Sequence, residues 1–185
     1  MKHRKLLQDG TKVSEIGLSC MSFAGFYGPT TEAQAHKTLA AAIDMEVTFL
    51  DTTNIYGMGV SESFIGSFLK GDNTKFVIAT KGAVWDNPET GKRGFNNTRD
   101  HLRAELELSL ARLQLERVAL YYIHRRALKI EIEQVMEILL SLSSKAKSVV
   151  LAFLKSRLPR CNVPVRSARW MRCKANIRFG RVIQI

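Results

Sequence analysis

Several features that would announce a class of protein are scarce or missing in this chain of 185 residues. Its three cysteines, Cys20, Cys161 and Cys173, are odd in number and widely spaced with no Cys-x-x-Cys, so neither a disulfide framework nor a metal cluster is expected. No apolar run approaches the roughly 20 residues that cross a bilayer. Met1-Lys2-His3-Arg4-Lys5 is followed by Gln8-Asp9-Gly10, where a secretory leader would have its apolar core. With 12 glycines, four prolines and 45% hydrophobic residues, the composition excludes collagen-like and disordered classes. A globular, cytoplasmic protein in a reducing compartment is the expectation, with no membrane partner.

Acidic residues are missing from one part only. From Met1 to Glu137 there are 17 basic and 17 acidic residues; the last 48 residues hold 11 basic and no acidic ones, so they carry the whole formal net charge of +11. Such a charge would ordinarily point to nucleic acid or an anionic membrane. Phe153, Trp170 and Phe179 interleave with the basic residues, and a nucleic-acid-binding tail is one reading of that stretch. Against it, Lys155 to Arg181 shows neither a helical stripe nor strand alternation, which makes a nucleic-acid partner the weaker expectation.

The neutral part has clear grammar. Lys5-Leu6-Leu7 and Lys12-Val13 flank an Asp9-Gly10 turn and predict a hairpin. Ile16 to Ser19 reads as a strand, and Thr30-Thr31 as the cap of a helix that runs to Asp44 with Ala35, Leu39, Ala42 and Ile43 on one face. Val47 to Leu50, Phe76 to Thr80 and Val118 to Ile123 are strands; Ser61 to Leu69, the stretch after Thr98 and Ile132 to Leu142 are helices. Asp86 to Asn97 reads as a polar loop, and Val149 to Leu154 as a further strand. Strands that are apolar throughout and alternate with helices predict a parallel sheet covered by helices.

Three of these strands run directly into an ionisable residue: Leu50 into Asp51, Thr80 into Lys81, Ile123 into His124. In a β/α barrel the carboxyl ends of the strands converge on one face, where the site is built. Tyr56 lies five residues after Asp51 on the adjoining loop, while Trp85 and Phe26 are candidates for lining a pocket there. Tyr56-Gly57-Met58-Gly59 lacks the dinucleotide fingerprint and reads as a flexible loop. His3, His36 and His101 read as solvated, and Cys20 as a packing residue.

The segments Phe49-Leu50-Asp51-Thr52-Thr53-Asn54-Ile55-Tyr56-Gly57, Ile78-Ala79-Thr80-Lys81 and Leu120-Tyr121-Tyr122-Ile123-His124-Arg125, with Gly17 to Met21 and Phe26 to Thr30, resemble the aldo-keto reductase family over about Arg4 to Leu142. The resemblance implies a (β/α)8 barrel, of which about the first four strand-helix units are present, and NADPH-dependent interconversion of carbonyls and alcohols. It nominates Asp51, Tyr56, Lys81 and His124 as the catalytic set, Cys20, Met21 and Asp51 as cofactor contacts, and a small carbonyl compound as substrate; the chemistry requires no metal. Tyr56 would give a proton to the nascent alkoxide, its ionisation eased by the Lys81 cation that Asp51 holds in place. His124 would orient the substrate oxygen.

The chain departs from the family after residue 142. Residues 1–142 are expected to be a partial reductase domain and 143–185 a basic tail without family character. Joining the third base of each codon to the first two of the next, Trp170 to Gln184 can be encoded to read D-A-V-Q-S-E-Y-S-V-W-S-R-D-S. Ser148 to Cys161 can likewise read R-C-I-G-F-S-E-I-S-P-A-T-L. Both strings resemble the family on and after its sixth and fifth strands, which points to a frameshift between Ser141 and Ser144. A truncated barrel of this kind would be impaired or inactive on its own. It could alternatively serve as a non-catalytic scaffold in which two half-barrels pair, since half a barrel leaves open strand edges.

Overall fold

The computed structural model describes residues 1–6, 11–72, 74–86, 91–144 and 148–153. The Asp9-Gly10 turn and the basic run from Lys155 onward lie outside them.

The chain opens with a hairpin, β1 (His3–Lys5) and β2 (Lys12–Ser14), paired antiparallel. There follow β3 (Leu18–Ser19), a 3-10 turn (Cys20–Ala24), α1 (Glu32–Asp44), β4 (Phe49–Asp51), α2 (Val60–Leu69) and β5 (Val77–Gly82). A second hairpin, β6 (Val84–Asp86) and β7 (Arg93–Phe95), precedes α3 (Arg99–Leu113), β8 (Val118–Ile123), α4 (Ile132–Ser144) and β9 (Ser148–Phe153). Strands β3, β4, β5, β8 and β9 form one sheet in that order, every pair parallel, so each helix crosses between neighbouring strands as in the opening turns of a β/α barrel.

Local chemistry sets the boundaries. Thr31 and Gln34 form a reciprocal capping box at the start of α1, the Gln34 N–H donating to Thr31 Oγ1 and the Thr31 N–H to Gln34 Oε1. Helix α2 stops where Lys70 turns left-handed, and α3 where Gln114 does. Thr98 sits at the cap of α3, but its hydroxyl donates to Asn96 Oδ1 (2.8 Å) and makes no cap bond.

The sheet is apolar on both faces because both are covered. Toward the helices, Leu50, Ile78, Tyr121 and Ile123 pack with Leu39, Ile65, Leu102, Leu106, Leu113 and Leu139 in the main core. On the other face Phe49, Ala79, Leu120 and Tyr122 form a second cluster with Val13 from the N-terminal hairpin. Full burial of one such leucine is worth about 1.5–3 kcal/mol, so the stripe Leu102, Leu106, Leu110 and Leu113, all buried, is what fastens α3.

The expected polar loop from Asp86 to Asn97 holds strand at both sides: Asp86 ends one strand and Arg93–Phe95 form another. Val84–Asp86 and Arg93–Phe95 pair antiparallel, Trp85 opposite Gly94, with the Arg93 Nε donating to Asp86 Oδ1 at 3.2 Å across the strands. Its Gly and charged residues read as loop; Val84, Trp85 and Phe95 carry the strand character. Strand β9 fulfils the expectation of a strand near 149–154 and extends the sheet past residue 142.

Candidate active site

Side chains alternate between faces along a strand. Asp51 therefore shares the inner face with Phe49 in β4, and Lys81 shares it with Ala79 in β5. His124, one residue past Ile123, continues the Leu120 and Tyr122 side of β8. The parallel registers, Asp51 beside Ala79 and Lys81 beside Tyr122, bring all three to the same end of the sheet above the inner cluster. The backbone N–H of His124 donates to Gly82 O (3.0 Å), which fastens the end of β8 to the residue after Lys81.

Lys81 and Asp51 form the centre. The Lys81 side chain is 2% exposed, and its ammonium donates to Asp51 Oδ2 at 2.6 Å and to Thr52 O at 2.8 Å. Burial pushes the Asp51 carboxyl up from its usual range, with the Lys81 charge opposing. The second carboxylate oxygen, Asp51 Oδ1, is buried with no hydrogen-bond partner among the described residues.

Tyr56 reaches this pair because the chain after β4 stays fastened to β5. The Thr52 N–H donates to Ala79 O (2.9 Å), the Asn54 N–H to Lys81 O (3.3 Å) and the Thr53 hydroxyl to the same Lys81 O (3.1 Å), so the turn rides along the neighbouring strand. The Tyr56 ring, half-buried, has its centroid 5.3 Å from Lys81 Nζ. The expected easing of its ionisation is not what this geometry gives. Burial and the Asp51 carboxylate push the phenol up to about 12, and only a hydrogen bond from Ser19 opposes them. Burial is the larger cause and the Asp51 carboxylate the next, so the net effect on Tyr56 is to hold its proton.

Other nominated residues fall around this centre. Cys20 is fully buried on the 3-10 turn, its thiol donating to Leu18 O at 3.8 Å; burial first, and Asp51 next, push the thiol above its usual range. Met21 follows it on the same turn, half-buried. Phe26 is 69% exposed and meets Tyr27 edge to face at 5.0 Å, while Trp85 is half-buried on its hairpin. His3 is exposed as expected, but two histidines read as solvated are only partly exposed. His36 Nε2 lies 2.9 Å from Ser67 Oγ and 3.1 Å from Phe64 O, between α1 and α2. His101 packs edge-on to Trp85 at 5.7 Å, its Nε2 buried and unpartnered among the described residues, and burial lowers its pKa. Among the described residues no three His, Cys, Asp or Glu side chains are placed to hold a metal, and no helix is long and apolar enough to cross a membrane.

Residues 15–179 match the sequence profile of the Aldo/keto reductase family. The chain belongs to that family. The aldo-keto reductase yakc [NADP(+)] of Schizosaccharomyces pombe is 38% identical over 126 residues, covering 67% of this chain and 37% of the relative. Aldo-keto reductase YhdN of Bacillus subtilis is 31% identical over 151 residues, covering 80% and 45%. In three dimensions this chain superposes on aldo-keto reductase AKR11C1 from Bacillus halodurans with a TM-score of 0.74 at 25% identity, covering 83% of this chain and 50% of that one. It thus spans half or less of the length of these three, in keeping with part of a barrel.

Several residues that shape the candidate site carry no sequence signal of their own. Glu62, with no exposed surface, accepts from Thr80 Oγ1 (2.6 Å) and pairs with Arg112 Nη1 (3.0 Å), tying α2 and α3 to the strand that presents Lys81. Gly59, read as a flexible point, is the left-handed start of α2 (φ 96°), and a Cβ there would stand 2.4 Å from Arg112 Nε. Asn54 donates to Val84 O (3.2 Å) and to the Glu105 carboxylate. Each contact joins residues at least 18 positions apart, beyond what local spacing reveals.

Proposed function

We propose that the chain carries the proton-handling part of an NADPH-dependent oxidoreductase acting on small aldehydes or ketones and the corresponding alcohols. The observation that supports this most is the buried Lys81–Asp51 pair beneath the Tyr56 ring. The phenol is protonated at neutral pH, so it can give its proton to the far more basic alkoxide that forms from a carbonyl. An alkoxide arriving beside Tyr56 takes the phenol proton, and the phenolate left behind faces the Lys81 ammonium, which a low-dielectric setting makes an effective stabiliser. Asp51 keeps Lys81 charged and aimed; His124, at the neighbouring strand end, offers the second polar contact to the substrate oxygen.

The residues fit a nicotinamide dinucleotide in part. The open acceptor at buried Asp51 Oδ1 suits a hydroxyl or amide donor, and Cys20 and Met21 supply adjoining backbone on the turn after β3. Bound there, the cofactor supplies the hydride. The family loops after the seventh and eighth strands, to which the resemblance assigns most adenosine-phosphate contacts, have no counterpart among the described residues. The impairment proposed for this chain is therefore in dinucleotide affinity, with the acid chemistry intact.

Titration of intrinsic fluorescence with NADPH tests both parts. Quenching that saturates only in the millimolar range, accompanied by slow reduction of an aromatic aldehyde, is the expected result. Saturation at micromolar NADPH would refute the impairment, and no quenching at millimolar NADPH would refute the reductase reading.

A further inference from the structure

Asn97 is fully buried between β7 and α3, and its carboxamide is spent on one loop. Its Nδ2 donates to Arg125 O at 3.1 Å, and its Oδ1 accepts the Ala127 N–H. Those two backbone groups belong to the residues immediately after His124. The ladder between β5 and β8 ends with the His124 N–H on Gly82 O (3.0 Å), and beyond it the chain leaves the sheet. One donor and one acceptor two residues apart are what a neighbouring strand would offer, and the amide of Asn97 offers both. Asn97 is itself held from the Lys81 strand: the N–H of Asn96 donates to Ala83 O (2.9 Å), two residues past Lys81, at a buried alanine kept at φ 82°.

We infer that Asn97 is a positioning residue for His124, holding the end of β8 in register with the strand end that presents Lys81. His124 is thereby bracketed, by the ladder on one side and by a side-chain substitute for the ladder on the other. The inference rests on the proposed reading only for what His124 does; where His124 is held depends on the hydrogen bonds alone. Two bonded partners on a buried polar group also explain why a polar residue occupies a fully buried position.

The test uses the full chain labelled at histidine, with the His124 imidazole resonances read by NMR and exchange followed at the Ala127 amide. In Asn97→Ala both bonds are lost. The His124 signals should shift or broaden while those of His3 and His36 stay in place, and Ala127 should exchange about tenfold faster, as expected for loss of one buried hydrogen bond. Asn97→Asp keeps an acceptor for the Ala127 N–H and loses the donor to Arg125 O. It should preserve Ala127 protection yet still move the His124 signals. Unchanged His124 signals in Asn97→Asp, or in Asn97→Ala with Ala127 protection lost, would overturn the inference and leave Asn97 as a loop brace. If Asn97→Ala does not fold, Asn97→Asp decides alone. Neither readout needs NADPH or turnover, so a chain that reduces no aldehyde but shows the His124 shift would refute the reductase reading and leave the role of Asn97 standing.

Discussion

Cutting the Glu62–Arg112 ion pair from each side in turn should give unequal losses. Glu62 has no exposed surface, whereas the Arg112 side chain is 29% exposed. In Arg112→Met the carboxylate stays sealed with only the Thr80 hydroxyl, at 2.6 Å, to satisfy it. Breaking a buried pair from one side costs about 3–5 kcal/mol; partial exposure of Arg112 places this case at the lower end, about 3 kcal/mol. In Glu62→Gln the orphaned group is the guanidinium, which can turn toward water, and the amide oxygen can still accept from Thr80. The loss there should be about 1 kcal/mol, that of one net hydrogen bond. Urea denaturation of both variants and of the double variant measures the two losses and their coupling. Equal losses, or a larger one for Glu62→Gln, would refute the claim that the carboxylate is the sealed partner.

Three further outcomes follow from particular contacts. The phenol of Tyr56, raised to about 12 in the folded chain from near 10 when unfolded, adds stability that is fully present below about pH 10 and lost as pH rises toward about 12. Urea midpoints of wild type should accordingly fall against those of Tyr56→Phe between about pH 9 and about pH 11.5, and a constant gap would contradict the assigned burial. A Cβ at Gly82 would stand 2.0 Å from Tyr121 Oη, so Gly82→Ala should unfold the chain or cost several kcal/mol, about 3 or more by overpacking; adding Tyr121→Phe, which removes that oxygen, should recover a large part, and no recovery in thermal melts would place the strain elsewhere. The coding DNA between codons 141 and 144 should yield a long reductase-like frame on a single-base change, and its absence would dismiss the proposed frameshift.

Much of this was legible in the sequence because the relevant periodicities are local. The apolar strands, the cap at Thr30-Thr31 and the α3 leucines each declare themselves within a few residues, and the strand-end positions of Asp51, Lys81 and His124 follow from their standing directly after an apolar run. Hairpin β6–β7 was hidden because its glycine and charged residues outweigh Val84, Trp85 and Phe95 in any local count. His101 was misplaced because Trp85, which covers it, arrives from 16 residues away. The sign of the effect on Tyr56 was also out of reach: it turns first on burial of the phenol and next on the nearby Asp51 carboxylate, matters of packing and distance and not of residue types. The +11 charge, which first suggested a nucleic-acid partner, lies wholly after Glu137, outside the described residues.

The central claim is that Tyr56 is the acid of a reductase centre, and a rate comparison tests it most directly. With the purified chain at millimolar NADPH and an aromatic aldehyde, the wild type should consume NADPH above background, and Tyr56→Phe should lower that rate by about 10²–10⁴, the contribution of a positioned general acid. A rate in Tyr56→Phe equal to that of the wild type would contradict the account.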